Sequence, residues 1–222
     1  MSVTLTNRLN LATTDTILRE LTTMTRDIVS GGDPTLTAFR EQAEVLGANP
    51  VIVGGVAVIH HGYRRTTEDR DVLLLHREAE ALANHLMDAP NWERVEIRQY
   101  AFLYHPTGIH VDFLVSGHLM QLGRPYFFPG THQIDVSGEV AGIPVIGLQD
   151  LIWLKLVAGR MQDLADIMEL CKRHLPNIDI ARILQYLQKE DDDLREKLLD
   201  IINRVPIELA GEKRLGQDHP ES

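Results

Sequence analysis

The chain has 222 residues, a net charge of −10 at pH 7 and a calculated isoelectric point near 5.4. An acidic chain of this kind lacks the broad electropositive surface that binds duplex nucleic acid, so we expect no duplex DNA partner. No apolar run is long enough to span a bilayer, residues 1–11 lack a signal-peptide pattern, and one cysteine, Cys171, excludes an internal disulfide framework. We therefore expect a cytoplasmic protein with no membrane partner.

Two amphipathic helices are predicted ahead of the first strand. Residues 13–29 carry apolar side chains at helical spacing, and Ser30-Gly31-Gly32 ends that pattern. Asp33 is the expected N-cap of the second helix, with Pro34 at its first position and an apolar stripe that runs to Gly47. We expect both helices to pack on a sheet and to carry no chemistry.

The next stretch combines a strand, a glycine turn and a short helix. Val51 to Val53 has the pattern of a buried strand, Gly54 and Gly55 predict a turn, and residues 56–61 begin a helix. Such a turn directs unpaired backbone N–H groups towards an anion, most naturally a phosphate.

A second apolar strand is predicted from Asp69 to Leu75. Asp69 and Asp71 are two residues apart, so in an extended segment their side chains lie on the same face. Two such carboxylates repel each other unless a cation lies between them, and their oxygen ligands suit Mg²⁺ or Mn²⁺. A phosphate-binding turn beside a metal-binding pair indicates a nucleotide.

Further elements are predicted in this order: a helix over 77–87, extended segments over 95–99 and 101–104, and a strand over 109–115. The last strand alternates, so that His110, Asp112 and Leu114 share one face. A half-buried carboxylate there would be costly in a purely structural role, which favours a site on that face.

Residues 116–131 are rich in glycine and proline and predict a long loop. We favour burial of its aromatic cluster, Tyr126 to Phe128, as an anchor, over base stacking or acceptor binding. Residues 134–146 predict a hairpin at the edge of the sheet.

The remainder of the chain is predicted to be helical. A nearly all-apolar helix over 148–158 carries Lys155 on an inward stripe, where it needs an anion unless it extends to solvent or pairs with Asp163. Residues 160–172 form the next helix, with Cys171 in the core, and two more helices follow from Ile178. The acidic residues 190–193 are expected to form a solvated helix start.

The motif Gly54-Gly55, followed by Arg65-x-Thr67-x-Asp69-x-Asp71 and apolar residues, resembles the signature of the DNA polymerase β-like nucleotidyltransferase superfamily. Within it, the chain is most similar to the small bacterial group that includes antibiotic nucleotidyltransferases and abortive-infection toxin nucleotidyltransferases. The resemblance covers roughly residues 50–171.

The resemblance implies a metal-dependent transfer of a nucleoside monophosphate from an NTP to a hydroxyl acceptor, with release of pyrophosphate. It assigns the three catalytic and metal-binding acids to Asp69, Asp71 and Asp112, which would hold two Mg²⁺ or Mn²⁺ ions. It places five residues at the nucleotide: Gly54, Gly55, Arg65, Thr67 and Lys155. Arg64 or Arg70 could take the place of Arg65, and Asp163 is expected to orient Lys155 or Arg160.

These expectations define an α/β (α+β) protein, with a small mixed β-sheet nucleotidyltransferase core flanked by helices. The predicted organisation is a nucleotidyltransferase domain over 1–147, with N-terminal helices at 13–47 and a catalytic core at 50–146, a C-terminal helical region over 148–209 and a disordered tail over 210–222.

The acceptor stays open between a small molecule, a protein side chain and a tRNA end. Two other functions are also compatible with the sequence: a catalytically silent nucleotide-binding regulator, and a toxin–antitoxin interaction protein whose helices bind an antitoxin. A structural zinc site is disfavoured, because His60 and His61 point to different sides of a helix and His110 has no histidine partner at helical spacing.

Overall fold

The computed structural model describes residues 32–189 and 191–217, and the helix predicted over 13–29 lies outside them. The elements follow in this order: α1 (Pro34–Val45), β1 (Val51–Ile52), α2 (Gly54–His60), β2 (Asp69–Leu74), α3 (His76–Asp88), β3 (Trp92–Arg94), β4 (Ala101–Tyr104), β5 (Ile109–Val115), β6 (Leu119–Gln121), β7 (Arg124–Phe127), β8 (Val136–Val140), β9 (Ile143–Ile146), α4 (Leu148–Ala158), α5 (Met161–His174), α6 (Ile180–Tyr186) and α7 (Asp192–Gln217).

One mixed sheet organises the described part of the chain. Its strand order is β3-β4-β5-β2-β1-β9-β8, and β6 with β7 forms a separate hairpin. The pairs β2–β5 and β1–β9 are parallel, and the other neighbours in the sheet are antiparallel. The predicted fold class, a mixed sheet flanked by helices, is confirmed.

Helices cover the two faces of the sheet. Asp33 caps α1 by accepting a hydrogen bond from the Leu36 N–H at 2.9 Å, and Pro34 occupies the first turn, as predicted. Phe39 of α1 packs against Phe113 of β5, with ring centroids 5.5 Å apart. Side chains alternate along β5, so Asp112 points away from α1 and towards the opposite face.

The structure corrects two predictions between β3 and α4. Residues 95–99 form turns and not a strand, because Trp92 is the buried residue that pairs with Tyr104 and so places β3 earlier in the chain. Residues 116–131, predicted to be a loop, contain the β6–β7 hairpin. The hairpin predicted over 134–146 is confirmed as β8 and β9, with β8 at the edge of the sheet.

The C-terminal region is helical, and Cys171 is buried in the core as predicted. Helix α7 continues to Gln217, beyond Ala210, where the sequence predicted the start of a disordered tail. The division into a core and a C-terminal helical region at residue 148 stays a prediction. None of the described helices is long and apolar enough to cross a membrane.

Candidate functional site

Three carboxylates lie on one face of two neighbouring parallel strands. Asp71 of β2 is the direct register partner of Asp112 of β5, and Asp69 is paired with His110. Parallel neighbours are about 4.8 Å apart and side chains alternate with period two, so Asp69, Asp71 and Asp112 share the face opposite α1. Two strands that are distant in sequence thus bring the three predicted acids together.

Burial and the mutual proximity of these carboxylates raise the pKa values of Asp71 and Asp112. Burial raises the pKa of Asp71 to about 6, and the charges of Asp69 and Asp112 add to the shift, while Lys155 and Arg160 oppose it. Burial also raises the pKa of Asp112, with a contribution from Asp69. A cation between the three carboxylates would remove this repulsion.

Arg98 is the cation that the structure places beside these acids. Its guanidinium donates a hydrogen bond to Oδ2 of Asp112 at 2.7 Å, although the Arg98 side chain is 61% exposed. The other carboxylate oxygen of Asp112, Oδ1, is buried and has no hydrogen-bond partner among the described residues. One oxygen of Asp112 is therefore held by an exposed arginine and the other is left for a ligand.

The donor set fits a hard divalent ion in its chemistry, because it consists of carboxylate oxygens. Among the described residues, however, no group of three or more His, Cys, Asp or Glu side chains is close enough to hold an ion as it stands. Asp112 is engaged in its ion pair with Arg98.

The glycine turn allows the start of α2 to approach strand β2. Gly54 has a φ of +59°, and a β-carbon at this position would overlap the carboxylate of Asp71. A β-carbon on Gly55 would overlap the side chain of Thr67, whose hydroxyl donates to the Asp69 carbonyl at 3.3 Å. The two glycines thus let the backbone contact the carboxylate face directly.

Lys155 and Arg65 belong to a buried ionic network. Nζ of Lys155 lies 3.0 Å from Asp163 and 2.7 Å from Asp166, and the Lys155 side chain is only 6% exposed. Arg65 contacts both oxygens of Asp166, at 2.7 and 2.9 Å. The expected pairing of Lys155 with Asp163 is present, and Lys155 does not extend to solvent.

Asp163 also orients Arg160. Nε of Arg160 lies 2.7 Å from Oδ2 of Asp163, while the Arg160 side chain is 77% exposed. Burial acts to raise the pKa of Asp163, but the hydrogen bonds from Arg160 and Lys155 overcome it and leave the pKa below its ordinary value. Asp163 is therefore ionised and holds two cations, as predicted.

The alternatives to Arg65 have other places in the structure. Arg70 points away from the acids and is buried, with Nε 2.6 Å from Oδ2 of Asp33. It thereby joins β2 to the cap of α1. Arg64 is exposed and does not line the cleft described next.

All eight residues that the sequence assigned to the site line one cleft of about 400 Å³. The cleft has six further lining residues, namely Thr66, Glu68, Arg98, Arg160, Gln162 and Asp163. The contribution of Arg98 to the cleft was not predicted, because the turn that carries it was expected to be a strand. Arg160 and Asp163 could be anticipated from their position after the lysine helix.

Comparison with known proteins agrees with this fold. A family described as "Nucleotidyltransferase of unknown function (DUF6036)" matches residues 35–202. The fold is similar to that of an antigenic nucleotidyltransferase-like protein from Paracoccidioides brasiliensis, with a TM-score of 0.54 and 17% identity over 81% of this chain and 90% of that chain.

A weaker likeness, with a TM-score of 0.41 and 12% identity, links 84% of this chain to all of the antibiotic-resistance factor ANT(2'')-Ia. No curated protein matches the sequence significantly. The family match includes the glycine turn, the three carboxylates and the lysine helix, and it confirms the resemblance seen in the sequence. The protein belongs to this family of nucleotidyltransferases of unknown function.

Proposed function

We propose that the protein transfers a nucleoside monophosphate from an NTP to a hydroxyl acceptor and releases pyrophosphate. The observation that carries this proposal is the placement of Asp69, Asp71 and Asp112 on one face of two parallel strands, beside a glycine turn and a cleft lined with cations. A nucleotidyl transfer needs these parts: oxygen ligands for divalent ions and cations for a polyphosphate.

In this proposal Asp69, Asp71 and Asp112 hold two Mg²⁺ or Mn²⁺ ions. When bound, these ions supply Lewis-acid stabilisation of the charge that develops on the α-phosphate and on the leaving group. The buried and unpartnered Oδ1 of Asp112 supports a ligand role for that residue. To act as a ligand, Asp112 would have to leave its ion pair with Arg98.

The transfer breaks one P–O bond and forms another. The acceptor oxygen attacks the α-phosphorus, the bond to the oxygen that bridges the α- and β-phosphates breaks, and pyrophosphate leaves with that oxygen. The proton of the acceptor hydroxyl passes to Asp112 or to water.

The polyphosphate is bound by groups that differ in mobility. Lys155 and Arg65 are fixed by buried carboxylates and provide a stationary positive wall, with Thr67 and the two glycines beside them. Arg160 is exposed and can move to the phosphates without leaving a buried charge unpaired.

A catalytically silent, nucleotide-binding regulator is the second candidate, and the ion pair of Arg98 with Asp112 favours it. If that ion pair persisted with NTP bound, Asp112 could not serve as a metal ligand. The proposal leaves the acceptor open between a small molecule, a protein side chain and a tRNA end. It also keeps an antitoxin as a candidate partner and the cytoplasm as the expected location.

The test is transfer from NTPs labelled at the α-phosphate, with Mg²⁺ or Mn²⁺, into a lysate that is then separated into RNA, protein and small molecules. We expect label in one fraction, and its loss with Asp69→Asn and with Asp112→Asn while circular dichroism shows an intact fold. The exposed Asp200 provides a control, Asp200→Asn, that keeps activity. Full turnover by both site variants would contradict the assignment, and Mg²⁺-dependent NTP binding without transfer would favour the regulator.

A further inference from the structure

A second cavity adjoins the charged cleft and is mostly apolar. It has a volume of about 450 Å³ and lies between helix α4, the end of strand β5 and the β6–β7 hairpin. Its apolar lining comes from Leu114, Met120, Phe128, Leu151, Leu154 and Ala158. We call this cavity the apolar chamber.

The apolar chamber joins the charged cleft at a wall that both share. The shared residues are Gly54, Asp71, Lys155, Arg160 and Asp163. They comprise Gly54 of the glycine turn, Asp71, which we assign to the metal ions, and Lys155 and Arg160, which we assign to the phosphates and which are both paired with Asp163. A molecule with its phosphates in the cleft can therefore extend into the chamber.

The side of the cleft that carries Arg98 does not line the chamber. Asp69, Asp112 and Arg98 line the cleft but not the chamber. Because the proposed reaction brings the acceptor hydroxyl to Asp112, the acceptor approaches from the side of Arg98. The chamber is thus left to the other part of the NTP.

We propose that the apolar chamber binds the nucleoside of the NTP and that the β6–β7 hairpin selects it; this inference rests on the proposed function. Phe128 and Met120 present an aromatic ring and a polarisable thioether to a planar base. Gln121 adds an amide that can both donate to and accept from the edge of the base.

The charges in the chamber agree with an uncharged occupant. The ionisable residues that line it, Asp71, Lys155, Arg160 and Asp163, all belong to the wall shared with the cleft. Of these, Asp163 is paired with Lys155 and Arg160. A polycationic acceptor would find no carboxylate among the other lining residues of the chamber, whereas a nucleobase needs none.

The hairpin that closes the chamber is fixed to the C-terminal helices. The buried Tyr126 donates a hydrogen bond to Asp191 and accepts one from the Gln188 N–H at 2.9 Å, and Arg124 is paired with Asp191 and Asp193. Asp191 and Asp193, which the sequence predicted to be solvated, therefore anchor the hairpin. This anchoring holds Met120, Gln121 and Phe128 in place before a ligand binds.

The test uses calorimetry in the presence of Mg²⁺ to compare two kinds of ligand. These are the four NTPs, each measured separately, and inorganic tripolyphosphate, which has no nucleoside. For Phe128→Ala we expect the Kd of the best-bound NTP to rise at least about tenfold, because stacking on the ring is lost. The Kd of tripolyphosphate should stay within about twofold. Phe127→Ala is the matched control, because Phe127 is 55% exposed and does not line the chamber.

Ala158→Phe tests the same inference by filling the chamber. If Phe128→Ala does not fold, this variant alone tests whether the chamber binds the nucleoside. We expect the same selective loss of NTP binding. An unchanged NTP affinity in a folded variant, or an equal loss of both ligands, would overturn the nucleoside assignment. If the wild-type protein bound neither NTP nor tripolyphosphate with Mg²⁺, the proposed function itself would fail.

Discussion

At the scale of single residues, the site brings together charges that repel each other. Asp71 is the central one: burial and the charges of Asp69 and Asp112 raise its pKa to about 6. The folded protein thus binds a proton at Asp71 more tightly than the unfolded chain does. Stability is therefore lost as the pH rises from about 4, the ordinary pKa of an aspartate, to about 6. If the site holds a divalent ion, as we propose, that ion would offset this loss.

Asp71→Asn should stabilise the protein at pH 7.5 in EDTA, because the neutral amide removes the buried charge. We expect the free energy of unfolding to rise by about 1–3 kcal/mol at pH 7.5 and by less than about 1 kcal/mol at pH 4, where the carboxyl group is protonated in the folded state and about half protonated in the unfolded chain. Urea denaturation at the two pH values measures the difference. The exposed Asp200→Asn variant should change stability by less than about 0.5 kcal/mol at either pH.

A gain from Asp71→Asn that is the same at both pH values would show that packing, and not ionisation, is responsible. A loss of stability at pH 7.5 would contradict the raised pKa.

Arg98→Gln should strengthen the binding of Mn²⁺ to the protein without nucleotide. The Arg98 guanidinium competes with a divalent ion for Asp112, and an exposed ion pair of this kind is worth up to about 1 kcal/mol. We expect the Kd for Mn²⁺ to fall by about two- to fivefold, measured by titration with electron paramagnetic resonance. Arg94→Gln, at an exposed arginine of β3, is the control for loss of one positive charge.

Arg98 would have a different role if its replacement left Mn²⁺ binding unchanged or weakened it. In that case the ion pair with Asp112 would stabilise the site and not compete with the ion.

At the scale of elements, the position of α2 against β2 decides whether the acids and the glycine turn form one site. The contact is so close that neither Gly54 nor Gly55 has space for a β-carbon. The buried network of Lys155, Asp163 and Asp166 then joins α4 to α5, and Arg65 extends it to the segment before β2. Such a network depends on all its members, because removing one partner leaves a buried charge unpaired.

Gly54→Ala should cost much more stability than Gly47→Ala, although both residues have left-handed backbone conformations, with φ of +59° and +63°. At Gly47 a β-carbon meets nothing within 4 Å, so only the conformational cost of about 1 kcal/mol remains. At Gly54 the overlap with the Asp71 carboxylate adds to that cost, and we expect a total of at least about 3 kcal/mol.

Urea denaturation of the two alanine variants provides the comparison, with metal binding as a second measurement. If the free energy of unfolding fell by the same amount in both variants, the close approach of α2 to β2 would not contribute to the cost of Gly54→Ala.

At the scale of the whole molecule, the net charge of −10 contrasts with the four cationic side chains that line the cleft. The positive charge is thus local and largely paired with carboxylates, and it cannot attract a long polyanion along the surface. The proposed substrate, a compact metal-bound nucleotide, needs no such surface.

The protein should not bind duplex DNA at physiological salt. With a fluorescent 30-base-pair duplex in about 150 mM salt, we expect no change in anisotropy up to roughly 10 µM protein, because few phosphates could be neutralised at once. A short single-stranded RNA is the comparison, since a tRNA end remains a candidate acceptor. Salt-sensitive, micromolar binding of the duplex would mean that a basic surface exists.

The sequence by itself determined the local chemistry of this protein. The period of two along β2 predicted that Asp69 and Asp71 share a face, and the glycine pair predicted where the backbone turns, because these properties depend only on neighbours in the chain. Asp112 was added to them by the family resemblance and not by local periodicity. All eight predicted site residues accordingly line one cleft. The cap at Asp33 followed from a similar short-range pattern, whereas the family resemblance implied the mixed sheet. The inward stripe that carries Lys155 predicted a nearby anion, which Asp163 supplies.

Only the tertiary structure decided what depends on residues that are far apart in the chain. Arg98 lies on a turn and contacts Asp112. The turn forms because β3 pairs with β4 from Trp92 to Tyr104, and periodicity within residues 95–99 could not predict that pairing. The apolar chamber likewise arises where α4, β5 and the β6–β7 hairpin meet. A cavity and an ion pair between distant segments are set by packing, which local sequence patterns do not encode.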